Sequence, residues 1–174
     1  AIILSTFIPV KYKHIIWDWN GTLLNDLTLC VDLLNVSLEK RKLPEMTEKK
    51  YRKKFLFPIK TFYESIGFDF SEEDFTIAND EFHQGFEQNF KKLALQPFAQ
   101  DTIARFQKLG VTQSILSATV QNRLEQQVDF FGIRHLLDNV VGISNTPSGF
   151  GKEFEGKELL NNTDIPLEQT IIVG

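Results

Sequence analysis

The sequence holds a single cysteine, Cys30, among 174 residues. No internal disulfide can form, which fits a reducing compartment. Positive charge is not in excess: 19 Lys and Arg stand against 23 Asp and Glu, for a formal net charge of −4. That leaves no basic field for nucleic acid and no polybasic signal for a membrane. Long apolar runs are missing as well. The apolar stretch at residues 1–10 falls short of the roughly 20 residues a bilayer span requires. It also lacks the basic flank of a secretion signal, and reads as a leading edge segment or a processing remnant without function. There is no internal repeat, low-complexity tract or Cys/His ligand spacing. What remains is an ordinary globular composition, 42% hydrophobic and 24% charged, suited to small-molecule chemistry in the cytoplasm. The excess is in phenylalanine: most of its 16 copies are expected in the core, because aromatic rings carry large burial energies.

Against that background one stretch changes character within two residues. His14-Ile15-Ile16-Trp17 has the β-branched and aromatic side chains of a strand covered on both faces. Asp18-Trp19-Asn20-Gly21-Thr22 then places a carboxylate at the strand's carboxyl end, where open α/β sheets bind ligands. Gly21 permits a tight turn, and Thr22 adds a hydroxyl, so the turn can wrap a small anion. Taken alone, the stretch equally describes a buried strand followed by an ordinary Asn-Gly turn.

From Asp26 the spacing of Leu27, Val31, Leu34 and Leu38 predicts a helix closed by Pro44, with Cys30 as a packing residue. The basic run from Glu48 to Lys54 predicts a solvated helix face; the alternative is that one or two of its cations reach toward an anionic substrate. A helix from Ile59 to Ile66 ends at Gly67. Ser71-Glu72-Glu73-Asp74 has the form of a capping box, opening a helix whose Phe75, Ala78, Phe82, Phe86 and Phe90 form a core-facing stripe. His83 lies beside the stripe without a ligand partner. Residues 27–95 therefore read as all helical. Gln96-Pro97-Phe98 returns the chain to alternating elements. These are a helix through Ile103, Phe106 and Leu109 stopped by Gly110, a strand from Val111 to Leu116 ending in Ser117-Ala118-Thr119, and a helix around Leu124 to Phe131. His135 sits in the next connection, without a catalytic partner. A strand from Asn139 to Ser144 follows, then a loop from Asn145 to Gly151, a helix from Glu153 to Leu160, and a strand from Glu168 toward Gly174. Taken alone, Ser117 reads as the cap of the following helix. Alternating strands and helices predict an α/β core with a mostly parallel sheet.

The order strand-Asp18, helical insertion, strand-Ser117, Lys152, strand-Gly174 resembles the haloacid dehalogenase-like hydrolases, in particular their phosphoglycolate phosphatase-like members with a helical cap. The resemblance implies a doubly wound, Rossmann-like parallel sheet core over residues 11–26 and 96–174, with an inserted all-helical cap over 27–95. It makes Asp18 the nucleophile that becomes an aspartyl phosphate. It sets Asn20 where the family has an acid/base Asp, so turnover is expected to be weakened while metal and phosphate binding survive. It assigns Ser117, Ala118, Gly21, Thr22 and Lys152 to the phosphate, with Lys157 as the other candidate lysine. Asp18 and the Asn20 backbone carbonyl become the protein ligands of Mg²⁺. The implied substrate is a small phosphorylated metabolite. Two alternatives follow from the same resemblance: a metal-independent dehalogenase, and an impaired member that binds a phosphorylated ligand or a protein partner. The family's fourth motif continues past its Gly into an acidic residue, whereas the sequence stops at Gly174, and truncation is the expectation.

Overall fold

The computed structural model describes residues 11–144 and 152–174; the expectations for residues 1–10 and for the loop at 145–151 lie outside them. Four strands, β1 (His14–Trp17), β2 (Thr112–Val120), β3 (Asn139–Ile143) and β4 (Thr170–Val173), form one sheet in the order β3-β2-β1-β4. Every pairing is parallel, with Trp17 level with Ile115 on one side and Val173 on the other. The alternation of side chains along a strand divides the core between two faces. Ile15, Trp17, Ile115 and Val140 pack with Ile103 of helix α5 (Ala99–Lys108) and with Leu124 and Val128 of α6 (Gln121–Phe130). Ile16 and Leu116 face the other way, onto Leu159 of α7 (Glu153–Asn161). Helices on both faces make the sheet doubly wound and leave all four residues of β1 buried.

The polar groups that enter this core are paired. The Trp17 indole donates to Gln113 Oε1 at 3.2 Å, and Gln113 Nε2 donates to the Ile103 carbonyl at 2.9 Å. Trp19, fully buried, donates its indole N–H to Gln127 Oε1 at 2.8 Å and packs on Phe131. Burial of so large a side chain, with its N–H satisfied, anchors the loop after β1 from within.

Between β1 and α5 the described chain is helical: α1 (Leu27–Lys40), α2 (Glu48–Lys54), α3 (Ile59–Ser65) and α4 (Phe75–Asn89). The apolar spacing of α1 buries Cys30, Val31, Leu34 and Leu38. Leu34 and Leu38 join Met46, Phe62, Tyr63, Phe68 and Ala78 in a second core separate from that of the sheet. Asn25 N donates to the Ala94 carbonyl at 3.0 Å and Gln96 N to the Leu23 carbonyl at 2.8 Å where the chain passes between the two parts, and Cys30, Phe86 and Phe90 of the helical part pack into the core of the sheet. Arg41, just past α1, bonds Glu73 and Glu81, clamping the end of α1 to α4. The cations of α2 are exposed and make no ion pair among the described residues.

Three local expectations are corrected. The capping box does not form: Ser71 N and Oγ both turn back to Asp69 Oδ1, at 2.9 and 2.6 Å. Asp74 caps α4 instead, accepting from Thr76 N at 2.8 Å. Both are short polar residues able to cap, and Asp74 stands next to the first apolar residue of the stripe. Strand β2 runs to Val120, not Leu116, and α6 begins at Gln121 without a side-chain cap. Ser117 is therefore not a helix cap. The last strand begins at Thr170, because Leu167–Gln169 form a 3₁₀ turn.

Candidate active site

Asp18 follows the last residue of β1, and its N–H donates to the Val173 carbonyl at 2.8 Å, which fixes its backbone at the carboxyl end of the sheet. Its two carboxylate oxygens are engaged separately. Thr22 Oγ donates to Oδ2 at 3.3 Å, and the Lys152 ammonium bonds Oδ1. Lys152 also donates to the Leu116 carbonyl at 3.0 Å, so one side chain spans the ends of β1 and β2. Lys157 lies elsewhere: it is exposed and pairs with Glu153 one turn back along α7, at 3.0 Å. Gly21, at φ +76°, supplies the left-handed residue that turns the loop. The carbonyls of Trp19 and Leu24 close that loop, and the Asn20 carbonyl takes no part in its bonds.

Asn20 faces β2. Its Oδ1 accepts from Thr119 Oγ at 2.9 Å, with Ser117 Oγ 3.4 Å away. Its Nδ2 donates to Asp26 Oδ2 at 2.7 Å, and the other Asp26 oxygen accepts from Gly21 N at 2.8 Å. Burial raises the Asp26 carboxyl above the ordinary carboxylate range, against the bonds from Asn20 and Gly21, which favour the charged form. Thr119, Asp26 and Gln96, whose Nε2 donates to the Gly21 carbonyl at 3.1 Å, were not among the expected site residues. Thr119 had a signal, a second hydroxyl two positions beyond Ser117 on one strand. Asp26 reads in the sequence as the start of a helix, and nothing in that position announces a fold back onto Asn20.

The hydroxyls owe their placement to an irregularity in β2. Leu116 pairs with Val141 and Val120 with Ile143, so the residues Ser117-Ala118-Thr119 bulge out opposite Gly142. A bulge re-aims side chains at a strand's end. Here Ser117 is buried, Ala118 is half-buried and contributes no polar side chain, and Thr119 N donates to Ser117 Oγ at 3.0 Å. Gly142 makes the bulge possible, because a Cβ there would come within 2.5 Å of the Thr119 carbonyl. Gly174 also approaches closely on the other side, a Cβ there falling 2.9 Å from the Asp18 Cβ.

The donor set can be tested against a metal. Among the described residues no three His, Cys, Asp or Glu side chains cluster. The Asp18 carboxylate and the Asn20 carbonyl, which takes no backbone bond among the described residues, are hard oxygen donors, the kind Mg²⁺ accepts while keeping several waters. The residues present fit that ion.

A doubly wound parallel sheet whose inner strand β1 delivers a lysine-paired carboxylate, beside hydroxyls from the next strand, defines a Rossmann-like α/β protein with its chemistry at the carboxyl ends of the strands. The chain belongs to the haloacid dehalogenase-like hydrolases, whose sequence profile matches residues 15–174. Comparison with curated protein sequences gives no match. Among solved structures it resembles a predicted phosphoglycolate phosphatase from Haemophilus somnus, with 19% identity and a TM-score of 0.74 over 94% of this chain and 77% of the other. It also resembles CbbY from Rhodobacter sphaeroides, solved in complex with phosphate: 18% identity, TM-score 0.69, 92% and 76% covered. Protein Tyrosine Kinase A from Mycobacterium tuberculosis is similar as well, at 17% identity and a TM-score of 0.75, with 94% and 74% covered. At these identities the likeness is one of fold.

Proposed function

We propose that the protein is a Mg²⁺-dependent phosphoric monoester hydrolase that acts on a small phosphorylated metabolite through an aspartyl phosphate on Asp18. The observation that carries the reading is the Lys152 ammonium laid against Asp18 Oδ1 at the carboxyl end of the sheet, with the Ser117 and Thr119 hydroxyls one strand away. A carboxylate oxygen of Asp18 attacks phosphorus and the bond to the leaving oxygen breaks; water then attacks the acyl phosphate, releasing inorganic phosphate and restoring the carboxylate. Little covalent work is left to the protein beyond positioning and charge neutralisation. Lys152 and the hydroxyls of Ser117 and Thr22 supply both, with the N–H of Ala118 as a further donor; the Gly21 N–H, expected to serve the phosphate as well, is already given to Asp26 Oδ1 and the Leu24 carbonyl. Mg²⁺, held by Asp18 and the Asn20 carbonyl, supplies further positive charge to the phosphoryl oxygens when bound. Residues 27–95 serve as a cap that excludes water and selects the substrate, and the setting is cytoplasmic.

Asn20 favours a second reading, an impaired member that holds a phosphorylated ligand or a protein partner, because an amide cannot protonate a leaving oxygen. The fold itself serves proteins named both for phosphatase and for kinase activity, so the site has to decide. The deciding experiment is Asp18→Asn with Mg²⁺ present: hydrolysis of a generic aryl phosphate should vanish while the circular dichroism spectrum stays unchanged. Activity equal to wild type would sink the assignment, and activity indifferent to EDTA would move it to the metal-independent dehalogenases of the family.

A further inference from the structure

We infer that Asp26 is a positioning residue that sets the orientation of the Asn20 amide, so that Asn20 offers the site an acceptor and not a donor. The inference rests on the proposed phosphatase reading for its catalytic consequence, and on geometry alone for the orientation. Asp26 is 2% exposed, too enclosed to touch a substrate. Its two oxygens face two donors, Asn20 Nδ2 at 2.7 Å and Gly21 N at 2.8 Å. Both Asp26 oxygens accept, one from each donor, so the Asn20 amide turns its NH₂ to Asp26 and its oxygen to β2. The hydrogen bonds then run in one direction: Ser117 Oγ donates to Thr119 Oγ at 3.1 Å, Thr119 Oγ to Asn20 Oδ1 at 2.9 Å, and Asn20 Nδ2 to Asp26. Reversing the amide would set its NH₂ on the hydroxyls and its oxygen against a carboxylate. The same carboxylate holds the Gly21 N–H, so one buried side chain fixes both the turn after Asp18 and the group that stands in the family's acid/base position.

The test is a cycle of Asn20→Asp, Asp26→Asn and the double exchange. In Asp26→Asn the new amide cannot accept from both Gly21 N and Asn20 Nδ2, and the Asn20 amide loses its fixed sense. In Asn20→Asp two carboxylates meet. The exchange restores complementarity: Asn at 26 accepts from Gly21 and donates to Asp at 20. We expect both single variants to lower the melting temperature and the exchange to recover most of the loss; additive losses would overturn the inference. In a ¹⁵N–¹H spectrum the Asn20 side-chain NH₂ pair, assigned by its disappearance in Asn20→Asp, should move toward the position of exposed amides in Asp26→Asn. A pair that stays in place would equally overturn it. On an aryl phosphate, Asp26→Asn should lower kcat by about tenfold with KM within about twofold, since the oriented amide serves the reacting complex more than ground-state binding. A change confined to KM would contradict the assigned role. If the wild type shows no hydrolysis, the phosphatase reading fails, and the cycle and spectrum still decide what Asp26 does to Asn20.

Discussion

At the scale of single residues the consequence of Asn20 is the sharpest. Its Oδ1 already faces Thr119 and Ser117, so a carboxyl there would stand among groups that can hand it a proton path to the leaving oxygen. In the exchange variant, where Asp26→Asn removes the opposing charge, the rate on a phosphate ester with a poor leaving group should rise by on the order of 10²-fold. An activated aryl ester departs without protonation and should gain little. Equal gains on both esters would show that position 20 is not the acid/base position. The nearness of Asp18, Ser117 and Lys152 was legible because the sequence marks the end of β1, the hydroxyls beyond the apolar run of β2 and the residue before α7. The contact between Asn20 and Asp26 was not, because it depends on a loop folding back on itself around Gly21, and no periodicity records a turn's three-dimensional path. The choice between Lys152 and Lys157 was also beyond the sequence: one turn of helix separates a lysine on Asp18 from one paired with Glu153.

Among the elements, the strands and helices followed from period and punctuation, and their ends did not. Ser71 and Asp74 both satisfy the chemistry of an N-cap, and the chain uses the one adjacent to Phe75. Asp74→Ala should therefore lower the melting temperature by about 2–4 °C, the usual size of a lost cap in a chain of this length. Ser71→Ala should leave it nearly unchanged; the reverse ranking in a thermal melt would restore the capping box. Strand β2 outran its expected end for a different reason. The bulge at residues 117–119 carries polar side chains inside a strand, and its partner Gly142 belongs to another strand altogether. Gly142→Ala puts a methyl group into backbone at 2.5 Å from the Thr119 carbonyl, which cannot yield as a side-chain end would. We expect a loss of about 1–3 kcal/mol in urea unfolding, together with a fall in phosphate-ester hydrolysis as Ser117 and Thr119 shift. Stability lost with activity per folded molecule intact would separate the bulge from the site.

For the molecule as a whole the chemistry and the sheet's stability sit at opposite ends of the strands. His14 opens β1, fully buried, with Nε2 and Ser114 Oγ 2.8 Å apart and no partner for Nδ1 among the described residues. Burial holds its pKa below the ordinary 6.5, against the pull of Asp138. His83 of α4 is lowered too, first by burial and then by the Arg123 charge. For both, the unfolded chain binds protons that the folded chain refuses, so stability must rise with pH across the window between folded and unfolded values. Their contribution is complete above about 6.5 and is lost as pH falls through the lower folded values. Glu81 acts in the same direction at more acid pH: burial opposes its charge, but bonds from Lys40, Arg41 and Ser37 prevail and lower its pKa. Asp26, raised by burial, has the opposite sign: its contribution is complete below the unfolded value of 3.8 and is lost as pH rises through the folded one, so it offsets part of that loss as pH falls. Since His14 lies a full strand length from Asp18, its titration should reach stability without reaching the site. Urea midpoints taken from pH 7.5 down to 5 should fall for the wild type and fall less steeply for His14→Gln, which keeps a polar side chain at the position but cannot take up the proton. Parallel slopes would assign the acid sensitivity to groups other than His14. If the wild-type slope survives in His14→Gln and disappears in His83→Gln, the acid-labile part is the helical insertion and not the sheet.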